Sequence, residues 1–237
     1  MNWQDIRVSE DSTHFLCDGK PVFGKSFAEV LKFHAPGFAP VKDDTGAYHI
    51  ESKGQPLYPQ RYTRTFGYYC NRAAVLDKAE WFHVDENGKK AYVNNYAWVG
   101  NYQEDVCPVR DQDNRYFHIG LSGQRVYPVS FAYAGDFKDG IGCVKTTEGF
   151  YRHIDCKGIF LYERGFIDLG IFHKNFATAR DKKGWHHIDK RGKEIYQERF
   201  AAVEPSFQTR FLRHWEVSPF DFPVFLRVFW QALVQNN

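Results

Sequence analysis

Six histidines recur along the chain at nearly constant spacing, and a neutral imidazole is a good ligand for transition metals. They are His14, His49, His83, His118, His153 and His187, with His186 adding a second ring at the last position. A metal site needs three or four ligands within about 2.0–2.3 Å of one ion, and equivalent positions of neighbouring repeats are further apart. We therefore predict that each histidine lies on a strand and bonds the backbone or an aspartate of a neighbouring repeat. The weak metal candidates are His83, His118, His153 and His187.

Other residue types keep step with the histidines, so the chain is built from a repeat of 34–35 residues. Five residues after each histidine stands a glycine: Gly19, Gly54, Gly88, Gly123, Gly158 and Gly192. An aromatic residue follows the histidine by nine: Phe23, Tyr58, Tyr92, Tyr127, Tyr162 and Tyr196. Four residues later comes another: Phe27, Tyr62, Tyr96, Phe131, Phe166 and Phe200.

Each repeat is predicted to form three or four short strands. The first carries a glycine-x-aromatic step, at Gly67/Tyr69, Gly100/Tyr102, Gly135/Phe137 and Gly170/Phe172. The second is an apolar run that ends at Val41, Val75, Val109, Val144 or Ala179. The third holds the histidine, and a turn such as Asp85 to Gly88 or Asp189 to Gly192 joins it to the fourth. The aspartate can bond the backbone two residues on and the glycine supplies positive φ, which is typical of a hairpin.

The unit resembles the WG repeat of bacterial proteins, also called KWG. Gly184-Trp185, Ile188-Asp189 and Gly192 match its pattern best, Trp81, Val84, Asp85 and Gly88 follow closely, and Gly123 and Gly158 hold the same turn position. The resemblance covers roughly residues 13–203 and is divergent, because a histidine or aromatic residue stands where the family usually has the glycine after the tryptophan. It implies a bacterial, non-catalytic module, which some members carry fused to an enzyme such as a methyltransferase.

A unit of this length cannot cover its own apolar face, so the units must stack. The predicted fold is all-β: tandem antiparallel β-meander repeats, arranged as a β-propeller or as an open β superhelix. The chain starts with only the last hairpin of a unit, Thr13 to Phe23, and a new unit starts at Phe200. Both ends could therefore close a ring of six blades, whereas the variable copy number of the family favours an open array.

Three domains follow from this pattern. Residues 1–12 are a lead-in, residues 13–203 are the repeats as five full units plus terminal half-units, and residues 204–237 are an aromatic tail without the repeat. Pro223 could begin a helix over 223–234. The tail is expected to dock on the repeats or on a partner.

A column of basic residues recurs beside a column of acidic ones. The pairs are Lys42-Asp43, Arg110-Asp111, Lys145-Thr146 and Arg180-Asp181, with Leu76-Asp77 breaking the basic column. Adjacent strand residues point to opposite faces, so the two signs should form separate rims. The basic rim of Lys42, Arg110, Lys145 and Arg180 could hold an anionic ligand or peptide, or it could simply be solvated.

Composition narrows the class of function. The 237 residues carry a net charge of +2 and are 18% aromatic, which favours β structure and argues against nucleic acid as a partner. Five cysteines without a C-x-x-C pair predict neither a disulfide framework nor a thiolate zinc site. No signal peptide or membrane span is visible, so a cytoplasmic protein is expected, with translocation into a host left open.

No nucleophile elbow and no phosphate-binding loop occurs in the sequence. We therefore expect a scaffold that binds a protein or peptide partner, without a cofactor and without catalytic activity. The alternative is the regulatory or recognition part of a larger or truncated bacterial enzyme, such as a methyltransferase. Against an enzyme within these residues is the lack of a Gly-x-Gly-x-x-Gly motif after a strand.

Overall fold

A computed structural model of the chain describes residues 1–204, and these form one compact unit. They fold into six sheets, each made of three antiparallel strands that are consecutive in the sequence. This confirms the prediction of an all-β chain of tandem β-meander repeats. The proposed helix over 223–234, like the rest of the aromatic tail from 205 onwards, lies outside the described residues.

The first three sheets span the N-terminal half of the described chain. Sheet 1 contains β1 (Arg7–Val8), β2 (Phe15–Cys17) and β3 (Lys20–Val22); sheet 2 contains β4 (Glu29–Val30), β5 (Phe38–Asp43) and β6 (Gly46–Glu51); sheet 3 contains β7 (Arg64–Tyr69), β8 (Arg72–Asp77) and β9 (Glu80–Val84). A single 3-10 turn, Trp3–Asp5, precedes β1. The predicted lead-in 1–12 contains β1, which pairs with β2.

The other three sheets repeat the same plan. Sheet 4 contains β10 (Trp98–Val99), β11 (Val106–Arg110) and β12 (Tyr116–Gly120); sheet 5 contains β13 (Tyr133–Lys138), β14 (Ile141–Lys145) and β15 (Tyr151–Asp155); sheet 6 contains β16 (Asp168–Leu169), β17 (Phe176–Asp181) and β18 (Gly184–Asp189). After β6, β9, β12, β15 and β18 the chain turns back and makes two further antiparallel bridges, for example Tyr116 with Phe131 and Ile119 with Arg125. These bridges are the short fourth strand that the repeat predicted.

Sheet 1 differs from the others at its inner edge. In sheets 2 to 6 the histidine-bearing third strand pairs with a middle strand, which pairs in turn with a first strand. In sheet 1 the histidine position directly precedes β2, so β2 corresponds to the third strand of the other sheets and β1 to their middle strand. No strand within residues 1–24 corresponds to their first strand. This agrees with the expectation that the chain begins partway through a unit.

The sheets stack in chain order. Sheets 2 to 5 contact one another in succession, through β5 with β7, β9 with β10 and β11 with β13, and β15 contacts β16 of sheet 6. Within residues 1–204, every sheet is built from its own consecutive strands instead of being shared between the two ends of the chain. The core is formed by the stacked faces, where residues such as Val75, Val109 and Val144 are fully buried.

None of the helices among the described residues is long and apolar enough to cross a membrane.

Candidate functional site

Five of the six repeating histidines link one sheet to the next. Each is buried on the third strand of its sheet, with one ring nitrogen beside a tyrosine hydroxyl of its own repeat and the other beside a backbone carbonyl of the following repeat. The groups are His49 with Tyr58 and Phe66, His83 with Tyr92 and Gly100, His118 with Tyr127 and Gly135, His153 with Tyr162 and Gly170, and His187 with Tyr196 and Glu204. The prediction that these histidines bond a neighbouring repeat's backbone is confirmed.

The partners define the proton positions. In sheet 3 the Nε2 of His83 lies 2.9 Å from the carbonyl oxygen of Gly100, and its Nδ1 lies 2.6 Å from the Tyr92 hydroxyl. A carbonyl oxygen can only accept, so Nε2 donates and Nδ1 accepts from the tyrosine. Burial lowers the pKa of His49, His83, His118 and His153 from 6.5 to about 4, which keeps the rings neutral at pH 7.

The glycines of the hairpin turns pack against the tyrosines that are bonded to the buried histidines. In the repeat after each tyrosine, the glycine of the hairpin turn has positive φ and lies against the face of that ring. A Cβ on Gly123 would stand 2.5 Å from Cγ of Tyr92, and one on Gly158 would stand 2.6 Å from Cγ of Tyr127. The tyrosine therefore contacts its own histidine through the hydroxyl and the next turn through the ring. Any larger residue at the glycine would separate the two sheets.

The aspartates of these turns act as predicted. Oδ1 of Asp85 accepts from the backbone amides of Asn87 and Lys89, each at 2.9 Å. Asp189 does the same with Arg191 and Lys193. The side chains hold the turn.

One predicted register is wrong by a residue. The aromatic ring that packs on each buried histidine comes 19 residues after it: Tyr68, Tyr102, Phe137 and Phe172, at centroid distances of 4.6, 4.7, 4.7 and 4.4 Å. In sheet 3 this ring belongs to Tyr68 and not to Tyr69, because Phe66 occupies the position that is glycine in the later repeats. The constant interval of 19 residues from the histidine would have identified Tyr68, whereas the glycine did not.

The predicted basic rim divides into two kinds of position. Lys42 faces Glu29 across its strand pair, and Arg180 faces Asp168. Arg110 faces Trp98 and Lys145 faces Tyr133. Across the first strand pair, the two end cations of the rim therefore have an acid opposite them and the two middle cations have an aromatic ring; across the second pair Arg180 also faces a ring, that of Trp185.

The middle cations form part of a continuous surface on sheets 4 and 5, which we call the aromatic–basic patch. Its members are Trp98, Arg110, Tyr116, Tyr133, Lys145 and Tyr151. Ring centroids follow one another at 6.1 Å, 5.5 Å and 6.4 Å along Trp98, Tyr116, Tyr133 and Tyr151. The Arg110 guanidinium lies 6.0 Å from the Tyr116 ring and the Lys145 ammonium 5.2 Å from the Tyr151 ring.

The patch has unused bonding capacity. Tyr133 is 43% exposed and its neighbours are partly exposed. Within the described chain, Nε of Arg110 is buried without a hydrogen-bond partner, and neither Arg110 nor Lys145 forms an ion pair with a described residue. Flat rings beside unpaired cations can bind groups that are both planar and acidic.

Another group could be taken for a metal site. Ligand atoms of Asp181, His186 and Glu194 lie within 4.8 Å of one another, and the buried His186 has no hydrogen-bond partner among the residues described. However, Arg199 bonds both carboxylates, at 2.9 and 2.6 Å, and Arg164 does so at 3.2 and 2.8 Å. Two guanidinium groups already neutralise the two acids, so a dication would have to compete with both.

No known protein family matches the chain, and no curated protein is significantly similar to it. Among solved structures, the computationally designed Ika8 protein is similar with a TM-score of 0.51 and 12% identity, over 81% of this chain and 70% of that one. Hsv2 of Kluyveromyces lactis is similar with a TM-score of 0.50 and 9% identity, over 82% of this chain and 74% of that one. At such identities the likeness shows the fold alone: a propeller-like row of repeated β-sheets.

Proposed function

We propose that the protein is a non-catalytic interaction module that binds an extended, acidic segment of a protein partner on the aromatic–basic patch. The observation that carries the proposal is the contrast within the rim: only Arg110 and Lys145 stand opposite aromatic residues and without an acid. Tyrosine, tryptophan and arginine are the side chains most often responsible for binding energy at protein interfaces. A rigid row of sheets can present them with less loss of conformational entropy on binding than a flexible loop would.

The charge of the patch favours a peptide over nucleic acid. Two cations in six side chains would release few counterions from a phosphate backbone, and the whole chain carries only +2. A peptide with carboxylates spaced between aromatic or apolar residues would match two cations on neighbouring sheets. The WG-like signature at Gly184-Trp185 and Ile188-Asp189 supports the same class, since we propose that the chain is a divergent member of that repeat group.

The test uses the whole chain and a fluorescein-labelled peptide of alternating glutamate and tyrosine. The double variant Arg110→Glu with Lys145→Glu should weaken binding at least about a hundredfold, because both attractions become repulsions. The matched control is Lys42→Glu, on the same column in sheet 2, which should leave the affinity within about twofold. Equal losses in both variants, or tighter binding of a labelled oligothymidylate than of the peptide, would overturn the proposal.

A further inference from the structure

A pocket of about 430 Å³ lies beside β1, where no inner strand from residues 1–204 joins sheet 1. Its walls come from four sheets: Val8 and Ser12 from sheet 1, Val30, Leu31, Lys32 and His34 from sheet 2, Phe66, Gly67 and Tyr69 from sheet 3, and Asn101 from sheet 4. The volume is within the range of sites for small molecules, which is about 300–1,000 Å³. None of its lining residues belongs to the aromatic–basic patch, and the proposed function makes no use of it.

The polar side chains of the pocket have free hydrogen-bonding capacity within the described chain. Within the described chain, no side-chain hydrogen bond or ion pair is formed by Lys32, His34, Tyr69 or Asn101, whereas the buried histidines and their tyrosines elsewhere in the repeats are fully bonded. The His34 and Tyr69 rings do touch, with centroids 4.9 Å apart. Donors that converge on a cavity without partners are the usual composition of a ligand site.

Comparison of the repeats shows that these residues do not occupy positions that stay constant from one repeat to the next. Counting from the histidine of each unit, position 18 is Lys32, Gly67, Asn101, Asp136 and Ile171, and position 20 is His34, Tyr69, Gln103, Lys138 and His173. Position 19, between them, is always aromatic: Phe33, Tyr68, Tyr102, Phe137 and Phe172. Adjacent positions of the same segment are therefore under different constraints, and variable positions of the first repeats line the pocket.

Gly67 gives the pocket its shape. A Cβ at this residue would lie 2.6 Å from Cδ2 and 2.9 Å from Nε2 of His34. The imidazole therefore rests against the backbone of β7, which a side chain at residue 67 would prevent. Burial and the charge of Lys32 lower the pKa of His34, so at pH 7 this ring is neutral and offers one donor and one acceptor.

The charge of the lining selects the ligand. Lys32 is the charged member of the lining, and no acid is among the lining residues. Outside the lining, the carboxyl of Asp136 acts on Tyr69, and burial raises the pKa of that carboxyl and so disfavours its charged form. Lys32, His34 and Asn101 offer donors, and Phe66 and Tyr69 offer aromatic rings, with the Tyr69 ring against His34. We infer that the pocket binds a small organic anion, with its carboxylate or phosphate at Lys32 and His34 and a flat apolar group against Phe66 and Tyr69.

The test is calorimetric titration of the full chain with benzoate, phenyl phosphate and inorganic phosphate. Benzoate or phenyl phosphate should bind at millimolar concentration or tighter, and inorganic phosphate more weakly, because it lacks the flat group. Whichever of the two aromatic anions binds tighter identifies the acidic group that the site prefers. Absence of heat from both, or equal affinity for benzoate and for neutral benzyl alcohol, would overturn the inference.

Two variants locate the site. Lys32→Gln should weaken binding about tenfold, because one charge-assisted hydrogen bond is lost. Gly67→Ala should abolish binding by displacing the His34 ring, and its φ is not in the left-handed region, so the thermal midpoint should stay close to that of the parent. The control is Arg110→Gln in the aromatic–basic patch. If Lys32→Gln binds as tightly as the parent while Arg110→Gln does not, the anion occupies the patch and the pocket inference is wrong.

Discussion

Adjacent positions at the start of each repeat differ in which side chains they permit. At position 17 from each buried histidine the carbonyl accepts the same bond, and at position 19 the same kind of ring packs on the imidazole. At position 18, between them, the side chain is a lysine, a glycine, an asparagine, an aspartate or an isoleucine. The difference teaches that the contacts between sheets depend on positions 17 and 19, and that position 18 is not constrained by them.

The largest effect should come from acid, because four buried histidines titrate together. Their pKa values are about 4 in the folded protein against 6.5 as the ordinary value. Between these two values the unfolded chain binds more protons than the folded one, so stability is complete above pH 6.5 and falls as the pH drops towards 4. Each histidine contributes up to about 1.4 kcal/mol per pH unit within that window.

Urea titrations at pH 7, 6 and 5 measure this dependence. The control is His118→Gln, which should reduce the slope of stability against pH by about one proton. A free energy of unfolding that stays constant from pH 7 to pH 5 would contradict the neutral, buried state of these rings.

Removal of a single link should be the next largest effect. His118→Ala leaves the Tyr127 hydroxyl and the Gly135 carbonyl without their partner and opens a cavity, at a cost of about 3–5 kcal/mol. The matched variant is His14→Ala at the incomplete first unit, where the ring is partly exposed and contacts Thr13 Oγ1 at 3.1 Å. This change should lower the free energy of unfolding by less than about 1 kcal/mol. Similar losses in the two variants would mean that the link between sheets is not what stabilises the stack.

Alanine substitutions at two glycines distinguish the cost of a packing clash from the cost of backbone strain. Gly123 and Gly140 have similar positive φ, 79° and 72°, but a Cβ on Gly123 would clash with Tyr92 whereas one on Gly140 would meet nothing within 4 Å. Gly140→Ala should destabilise by about 1 kcal/mol from the backbone alone. Gly123→Ala should add the cost of the displaced ring, for a total of about 2–4 kcal/mol. Equal midpoints in thermal unfolding would show that the ring can move aside at no cost.

Much of the repeated β-structure was predictable from the sequence because it is periodic. The intervals alone located the strands, the aspartate–glycine turns and the backbone bonds of His83 and His187, since a repeat must place equivalent residues in equivalent surroundings. Tyr68 was missed because Phe66 replaces the glycine that had been used as the marker. The start of β1 was missed because two paired residues give no periodic signal.

The binding surfaces were less predictable for a physical reason. The basic column was visible, but the opposition of Arg110 to Trp98 and of Lys42 to Glu29 depends on register, which connects residues about twelve positions apart across a loop. The pocket beside β1 depends on which strand is missing from sheet 1 and on four segments that meet only after stacking. Neither interval nor composition contains that information.

The smallest effect on stability should come from the patch. Tyr133 and Phe137 lie on the same strand, β13, but Tyr133 is 43% exposed while Phe137 is 3% exposed and packs on His118. Tyr133→Ala should cost less than about 1 kcal/mol and still weaken binding of the glutamate–tyrosine peptide at least about tenfold. Phe137→Ala should cost about 3 kcal/mol or more. Chemical unfolding and peptide titration of both variants measure the two effects. If the Tyr133→Ala protein binds the peptide normally, the exposed face of this ring contributes nothing to recognition and Tyr133 is not part of the proposed interface.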